Sequence, residues 1–163
     1  MKKLKIALVG QPNVGKSMLI NAISNSKLRV GNFSGVTVEK AEVSFDYHGY
    51  AINIIDLPGT YSLNDYTQEE RVTKEFLLSE NYDLIINVVD ATNLERNLFL
   101  TTQLLELDKK VIVALNMMDE AEKEGVCIDE EQLTNILGAP CVKVSAVTKR
   151  GIGKLINRTV DMS

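Results

Sequence analysis

The chain contains a glycine-punctuated loop with the residue types and spacing needed to hold phosphate groups. The segment from Gly10 to Ser17, GQPNVGKS, follows an apolar run and precedes residues with helical periodicity, which is the context this pattern requires. Glycines let backbone N–H groups turn toward phosphate oxygens, and the start of a helix adds its positive dipole end. Lys16 supplies a charge for the β- and γ-phosphates, and the Ser17 hydroxyl suits Mg²⁺. The loop therefore predicts a nucleoside triphosphate site.

Two further segments are suited to bind the metal ion and the terminal phosphate. Asp56 ends an apolar run and Gly59 lies three residues later, so a carboxylate is available for Mg²⁺ and an unobstructed backbone N–H for the γ-phosphate. Taken alone, the same residues are also compatible with a strand ending in a Pro-Gly turn. Upstream, the glycine-punctuated loop 31–39 carries Thr37, a candidate hydroxyl ligand in a loop ordered by the γ-phosphate and Mg²⁺.

Two segments after later strands are suited to recognise guanine. A carboxylate at Asp119 can accept hydrogen bonds from the N1–H and the exocyclic amine of guanine, whereas adenine offers no such pair of donors. If adenine entered the site, the Asp119 carboxylate would lack these hydrogen bonds, and the preference for guanine can therefore reach orders of magnitude. Asn116 would brace the loop, and Ser145-Ala146 could offer a backbone N–H to the base. Either segment alone is also compatible with a polar turn.

The elements that must position these residues alternate between short apolar runs and amphipathic segments. This alternation predicts right-handed crossovers and a three-layer α/β fold, with a mostly parallel sheet, one antiparallel edge strand from a hairpin, and helices on both faces. The predicted strands are Leu4–Val9, Glu42–Asp46, Tyr50–Ile55, Leu84–Val89, Val111–Leu115 and Cys141–Val144. The predicted helices are Lys16–Ser24, Glu69–Ser79, Leu94–Leu107, Asp129–Leu137 and one from about Ile152. Ligands bind such sheets at the carboxyl ends of the strands.

Composition excludes several classes of protein. The 163 residues are 45% apolar and 25% charged, close to the globular average, and no apolar stretch reaches the roughly 20 residues of a membrane span. The net charge of −4 favours no nucleic-acid partner. Cys127 and Cys141 are expected to be reduced thiols, and His48 to lie in a hairpin turn. We expect a single soluble domain over residues 1–163.

These motifs, in this order, resemble the TRAFAC-class P-loop GTPases, which have a Ras-like fold. Longer segments are similar to the N-terminal G domain of the ferrous iron transport protein B (FeoB) family. The most specific are Asp-Leu-Pro-Gly-Thr-Tyr-Ser-Leu from Asp56 and Gly-Val-Thr-Val-Glu from Gly35, and the similarity extends over nearly the whole chain.

The resemblance implies a GTP-binding, GTP-hydrolysing domain on the cytoplasmic side of the bacterial inner membrane, which regulates Fe²⁺ uptake by an attached permease. It implies a fragment of a longer protein, with GTP or GDP, Mg²⁺ and K⁺ as cofactors. The implied partners are its own C-terminal helical and transmembrane domains and a small FeoA-like protein. The alternatives are a ribosome- or tRNA-associated GTPase domain, although the chain has no basic module, and a scaffold that binds nucleotide without hydrolysing it.

The resemblance also implies which residues act. Lys16, Thr37 and Gly59 are the catalytic set, Ser17, Thr37 and Asp56 the Mg²⁺ ligands, and Asn13 a K⁺ ligand or a brace for the loop. Thr60 stands where signalling GTPases carry a water-orienting glutamine, so slow hydrolysis is expected. The predicted nucleotide contacts are Gly10, Gln11, Pro12, Asn13, Val14, Gly15, Lys16, Ser17, Met18, Gly35, Val36, Thr37, Asp56, Gly59, Asn116, Met117, Asp119, Ser145, Ala146 and Val147.

Three acidic residues lie in the segment that follows Gly59. Asp65, Glu69 and Glu70 could be an iron sensor, but negative charges at a helix start are favourable and usually solvated. We therefore expect all three to be exposed to solvent.

Overall fold

A seven-stranded sheet forms the centre of the structure, a computed structural model that describes residues 1–163. Its strands are β1 (Lys2–Gly10), β2 (Arg29–Asn32), β3 (Glu39–Tyr47), β4 (Tyr50–Asp56), β5 (Leu84–Asp90), β6 (Lys110–Asn116) and β7 (Cys141–Lys143). They lie side by side in the order β2-β3-β4-β1-β5-β6-β7. The five strands β4, β1, β5, β6 and β7 run parallel, as the alternation of strands and helices predicts.

The antiparallel part of the sheet contains one strand more than the sequence predicts. β3 pairs antiparallel with β4 through the expected hairpin, whose turn contains His48. β2 then pairs antiparallel with β3 and forms the edge of the sheet, so that β3 is the second strand from the edge. β2 is four residues long and exposed throughout, so it has no apolar alternation that could reveal it. Because β2 includes Gly31 and Asn32 and β3 begins at Glu39, the loop predicted over residues 31–39 is shorter than expected.

Helices cover both faces of the sheet, as predicted. They are α1 (Lys16–Ile23), α2 (Gln68–Ser79), α3 (Leu94–Leu105), α4 (Met118–Lys123), α5 (Glu130–Leu137) and α6 (Ile152–Met162). α4 has six residues, too few to show helical periodicity, and was not predicted. None of these helices combines the length and the apolar composition that a membrane crossing requires.

The core has two halves because side chains alternate across β1. Leu4, Ile6 and Leu8 pack on one face with apolar residues of α1 and α6. Ala7 and Val9 pack on the other face with residues of α2, α3 and α4. All five side chains are at most 2% exposed. β1 is thus buried on both faces, and the loop over residues 10–17, called the phosphate-binding loop after its predicted role, starts at its carboxyl end.

Side chains of α5 cap the outer edge of β7. The backbone N–H of Lys143 donates to Glu130 Oε2 at 2.9 Å, and the N–H of Cys141 donates to Thr134 Oγ1 at 3.0 Å. Lys154 of α6 also pairs with Glu130, with Nζ and Oε1 2.9 Å apart. Unpaired edge groups invite pairing with other chains, so these contacts close one side of the sheet.

We predict that Glu130→Gln lowers the stability of the fold in a pH-dependent way. Partial burial opposes ionisation of Glu130, but hydrogen bonds from Lys154 and the Lys143 amide, with the charges of both lysines, outweigh it and lower its pKa. The carboxylate therefore stabilises the fold above the ordinary glutamate pKa of about 4.3, and this contribution is lost as pH falls through the lowered pKa.

Urea unfolding at pH 7 and pH 3 measures this effect. The free energy of unfolding should be lower for Glu130→Gln than for the parent at pH 7, and the difference should shrink at pH 3. Glu131→Gln is the matched control, since Glu131 is exposed on the same helix. A difference that is the same at both pH values, or equal for the two variants, would contradict the assignment.

Candidate functional site

The carboxyl ends of four neighbouring strands lie at one edge of the sheet, and three of them carry the predicted site residues Gly10, Asp56 and Asn116. Gly10 ends β1, Asp56 ends β4, Asp90 ends β5 and Asn116 ends β6. The register aligns them, because Leu8 pairs with Asp56 and Asp90 with Asn116. Loops that follow these strands therefore meet at one place, where ligands bind in sheets of this kind.

The phosphate-binding loop connects β1 to α1 and surrounds an open cavity. Residues 11–18 and Gly59 line this cavity, which has a volume of about 480 Å³. Gly15 has φ of 84°, and a Cβ at this position would lie 2.7 Å from Asn116 Nδ2. No other residue fits here without moving Asn116. The predicted strand, loop and helix are thus confirmed, and the cavity faces the N-terminus of α1.

Lys16 and Asp56 form an ion pair beside the cavity. Lys16 Nζ lies 3.0 Å from Asp56 Oδ1 and donates a second hydrogen bond to the carbonyl of Leu57 at 2.6 Å. Burial raises the pKa of Asp56, Lys16 acts in the opposite direction, and nearby Glu39 adds to the rise. A second cation, beside Lys16 or replacing it, would stabilise this carboxylate, because partial burial raises its pKa and Lys16 is its one cationic partner.

Gly59 lies against the phosphate-binding loop. A Cβ on Gly59 would lie 2.9 Å from Pro12 Cα, and the N–H of Thr60 donates to the Gly10 carbonyl at 3.1 Å. The backbone of this segment can approach so closely only because Gly59 has no side chain. The Thr60 side chain is 2% exposed, and its hydroxyl has no hydrogen-bond partner.

Thr37 lies on a second cavity beside the first. This cavity, about 320 Å³, is lined by Thr37, Asp56, Lys16 and Gly59 among others, and it shares the last two with the phosphate cavity. Gly35 and Val36 line neither cavity. Asp56, Thr37 and Ser17 together offer a carboxylate and two hydroxyls. These are the hard oxygen donors that Mg²⁺ prefers, so the donor set fits this metal.

Asn116 is a buried bridge between two loops. Its Nδ2 donates to the Val14 carbonyl at 2.9 Å, and its Oδ1 accepts from the Ala146 N–H at 3.1 Å. The side chain is 1% exposed. The bracing role expected from the sequence is therefore present, and the phosphate-binding loop is tied to the loop after β7.

Asp119 is oriented by Ser145. Ser145 Oγ donates to Asp119 Oδ1 at 3.0 Å and accepts from the Thr148 N–H at 3.2 Å. Ser145 is fully buried, whereas Asp119 is half-buried, and Asp119 Oδ2 makes no hydrogen bond within the chain. The carboxylate is thus fixed at one oxygen and open at the other. Met117 is half-buried and Val147 is 64% exposed, so both can offer apolar surface beside it.

Two predicted contacts lie at the rim of the site. Met18 is 52% exposed at the start of α1 and lines the phosphate cavity. Asn13 is exposed on the same loop and has a positive φ of 67°. Neither side chain makes a hydrogen bond in the structure, which leaves both accessible to a ligand.

The sequence did not reveal the connections from the site to α3. Gln11 Nε2 donates to the Arg96 carbonyl at 2.8 Å, and the Arg96 guanidinium lies 5.9 Å from the centre of the Tyr61 ring. Gln103 Oε1 accepts from the Leu63 N–H at 2.8 Å. These residues are separated by up to 85 positions, so no local pattern could have indicated the contacts.

The prediction that Asp65, Glu69 and Glu70 are all solvated is wrong for Glu70. Asp65 is exposed and pairs with Lys74, and Glu69 is exposed. Glu70 is only 7% exposed, and its Oε2 accepts from Ser62 Oγ at 2.6 Å. Thr67 caps the Glu70 N–H, which is the Thr-x-x-Glu pattern of a helix start and could have indicated a structural role.

The largest cavity of the structure lies elsewhere. It has about 760 Å³ and extends across β1, β3 and β4, lined by residues such as Lys3, Ser44 and Asn53. Gly10, Asp56, Asp90 and Asn116, which end the four neighbouring strands, do not contribute to it. Position in the fold, rather than cavity size, therefore identifies the functional edge.

Comparison with known proteins supports one family. A family model described as ferrous iron transport protein B matches residues 4–159. This chain belongs to that family. The family predicted from the sequence is thereby confirmed.

Curated relatives in the FeoB family are much longer than this chain. The Fe(2+) transporter FeoB of Helicobacter pylori is 62% identical over 149 residues, which cover 91% of this chain and 23% of that protein. The protein of the same name from Campylobacter jejuni is 54% identical over 160 residues, covering 98% of this chain and 26% of that protein. The chain thus spans about a quarter of the length of these relatives.

Solved structures of FeoB proteins share the fold. The G domain of T. maritima FeoB has a TM-score of 0.92 at 46% identity, and the match covers 98% of each chain. The cytosolic domain of the same protein in a GMPPNP form has a TM-score of 0.94 at 47% identity and covers 97% of this chain and 63% of that one. A GDP form reaches 0.95. The predicted P-loop GTPase fold is confirmed.

Proposed function

We propose that this chain binds GTP and GDP together with Mg²⁺ and hydrolyses GTP slowly. One observation carries this proposal: Asn116 joins the loop that surrounds the phosphate cavity to the loop that orients Asp119, so a triphosphate site and a guanine site lie on either side of it. The FeoB relatives solved with GDP and GMPPNP support the same assignment.

Lys16 is proposed to exchange its partners when nucleotide enters. In the structure its ammonium group neutralises Asp56. Phosphate oxygens carry more charge and lie within reach of the same cavity, so we expect Lys16 to move to them and to release the Asp56 carboxylate. Asp56, Ser17 and Thr37 would then hold Mg²⁺, which neutralises charge on the phosphates. The backbone N–H groups of residues 11–16 would bind the remaining phosphate oxygens.

Guanine selection is assigned to Asp119. Its Oδ2 is open, and Oδ1 is held in place by Ser145, so the carboxylate can accept both hydrogen bonds that the guanine edge donates. Met117 and Val147 are proposed to flank the base with apolar surface. The Ala146 N–H already donates to Asn116, so Ala146 is proposed to support the base site mainly through this contact.

Hydrolysis is expected to be slow because Thr60 stands where signalling GTPases carry a water-orienting glutamine. The Thr60 hydroxyl is buried and lies in the position of the missing glutamine. Catalysis is therefore assigned to positioning and charge, with Lys16 and the Gly59 N–H at the γ-phosphate and Thr37 closing over the site.

The substitution Asp119→Asn should exchange guanine preference for xanthine preference. Asparagine offers one acceptor and one donor, which match the N1–H and the C2 carbonyl of xanthine and oppose the amine of guanine. Competition against a fluorescent guanine nucleotide should show GDP affinity lowered by roughly a hundredfold or more and XDP affinity raised. The control is Asp108→Asn, on an exposed turn away from the site. Unchanged GDP preference in Asp119→Asn would contradict the assignment.

Asn13 is proposed as a K⁺ ligand at the phosphates. The residue is exposed at the rim of the phosphate cavity, and its amide oxygen is available. Single-turnover hydrolysis should be faster in KCl than in NaCl for the parent, and the difference should vanish in Asn13→Ala. Equal rates of the parent in both salts would exclude the cation role of Asn13.

The whole protein is proposed to couple nucleotide binding to Fe²⁺ uptake, because the curated relatives are named Fe(2+) transporters and are four times longer. In this proposal the loops at Thr37 and Gly59 report the nucleotide state to an attached permease. A full-length protein with Lys16→Ala, reconstituted in vesicles, should lose the effect of GTP on Fe²⁺ entry. Uptake that responds equally to GTP in both proteins would refute the coupling.

A further inference from the structure

The segment that follows Gly59 is held by a clamp on α3. Gln103 uses both ends of its side-chain amide: Oε1 accepts from the Leu63 N–H at 2.8 Å, and Nε2 donates to Asn64 Oδ1 at 2.9 Å. Gln103 is half-buried and Asn64 is exposed. Because the amide of Gln103 bonds two consecutive residues, Leu63 and Asn64, it holds this segment of the chain in one position against α3.

A second set of contacts holds the same segment from α2. Glu70 Oε2 accepts from Ser62 Oγ at 2.6 Å and from the Asn64 N–H at 3.2 Å. In a helix start of the Thr-x-x-Glu type the glutamate usually returns to the backbone N–H of the threonine, here Thr67. In this structure the carboxylate is directed to the segment before the helix instead. Residues 62–64 are therefore fastened to two helices.

The clamp lies close to the residue that touches the phosphate cavity. Gly59 lines both the phosphate cavity and the cavity of Thr37 and Asp56. Only one backbone hydrogen bond, from Thr60 to Gly10, ties this stretch directly to the phosphate-binding loop. Tyr61 contacts Arg96 of α3, and Leu63, four residues after Gly59, is the first residue of the segment that forms a hydrogen bond with α3. Gln103 thus holds the segment just beyond the anchor of Gly59 and Thr60 on the phosphate-binding loop.

We propose that Gln103 is a positioning residue for the terminal phosphate. The inference rests on the proposed function, in which the Gly59 N–H binds the γ-phosphate and no other phosphate. Loosening the clamp should therefore weaken binding of a triphosphate and slow its hydrolysis, while binding of GDP stays the same. A residue with a merely structural role would weaken both nucleotides together, because both use the phosphate-binding loop and Asp119.

The test compares two substitutions of Gln103. Gln103→Leu keeps the size of the side chain and removes both hydrogen bonds. Gln103→Glu keeps the acceptor for the Leu63 N–H, and the exposed Asn64 amide can turn its NH₂ group toward the second carboxylate oxygen. We expect Gln103→Leu to bind GMPPNP roughly tenfold more weakly, with unchanged GDP affinity and a lower kcat. Gln103→Glu should restore most of the GMPPNP affinity.

Controls separate this inference from the fold and from the proposed function. Gln132→Leu, on the exposed face of α5, should change neither affinity. Asn64→Ala removes one of the two hydrogen bonds of Gln103 and changes only an exposed residue. It should lower GMPPNP affinity by less than Gln103→Leu does. This variant keeps the test possible if Gln103→Leu does not fold. Equal losses for GDP and GMPPNP, or no loss in either clamp variant, would overturn the role of Gln103. A parent protein that binds neither nucleotide would overturn the proposed function instead.

Discussion

The side chain of Asn116 holds together the two loops from which the site is built. It satisfies the Val14 carbonyl in the phosphate-binding loop and the Ala146 N–H in the loop after β7, and it is almost completely buried. Removing it would leave buried backbone groups unsatisfied, at a cost of about 1–3 kcal/mol each. Gly15 packs against the same side chain, so the phosphate cavity has its shape only while Asn116 is in place.

The charged pair beside this framework explains how the site can respond to a ligand. Asp56 is buried enough for its pKa to rise, and Lys16 is its neutralising partner. A carboxylate in this state is stabilised by a new cation, and the lysine by a new anion. A nucleotide bound to Mg²⁺ supplies a cation for Asp56 and phosphate anions for Lys16. The two side chains can therefore separate without either one being left unpaired in a partly buried site. The clamp at Gln103 adds a third constraint, since it holds the segment after Gly59, the residue proposed to bind the terminal phosphate.

Much of the fold could be predicted from the sequence because the central strands are apolar on both faces and the main helices are amphipathic. β2 and α4 could not, since four exposed residues and a six-residue helix carry no periodicity. The candidate site residues with local motifs, such as Lys16 and Asp119, could be proposed from their spacing. The contacts of Gln11 and Gln103 were not, because they join residues that are 85 and about 40 positions apart. Glu70 differs from them, because its partners Ser62 and Asn64 are close in sequence and its Thr-x-x-Glu pattern could have indicated a structural role.

We propose that the phosphate-binding loop holds a magnesium triphosphate while Asp119 selects its base. Calorimetric titration of the unmodified chain with GMPPNP and with AMPPNP, each with Mg²⁺, tests this claim most directly. We predict one site per chain for GMPPNP and affinity for AMPPNP that is weaker by at least a hundredfold. No binding of GMPPNP, or equal affinity for the two nucleotides, would contradict the account.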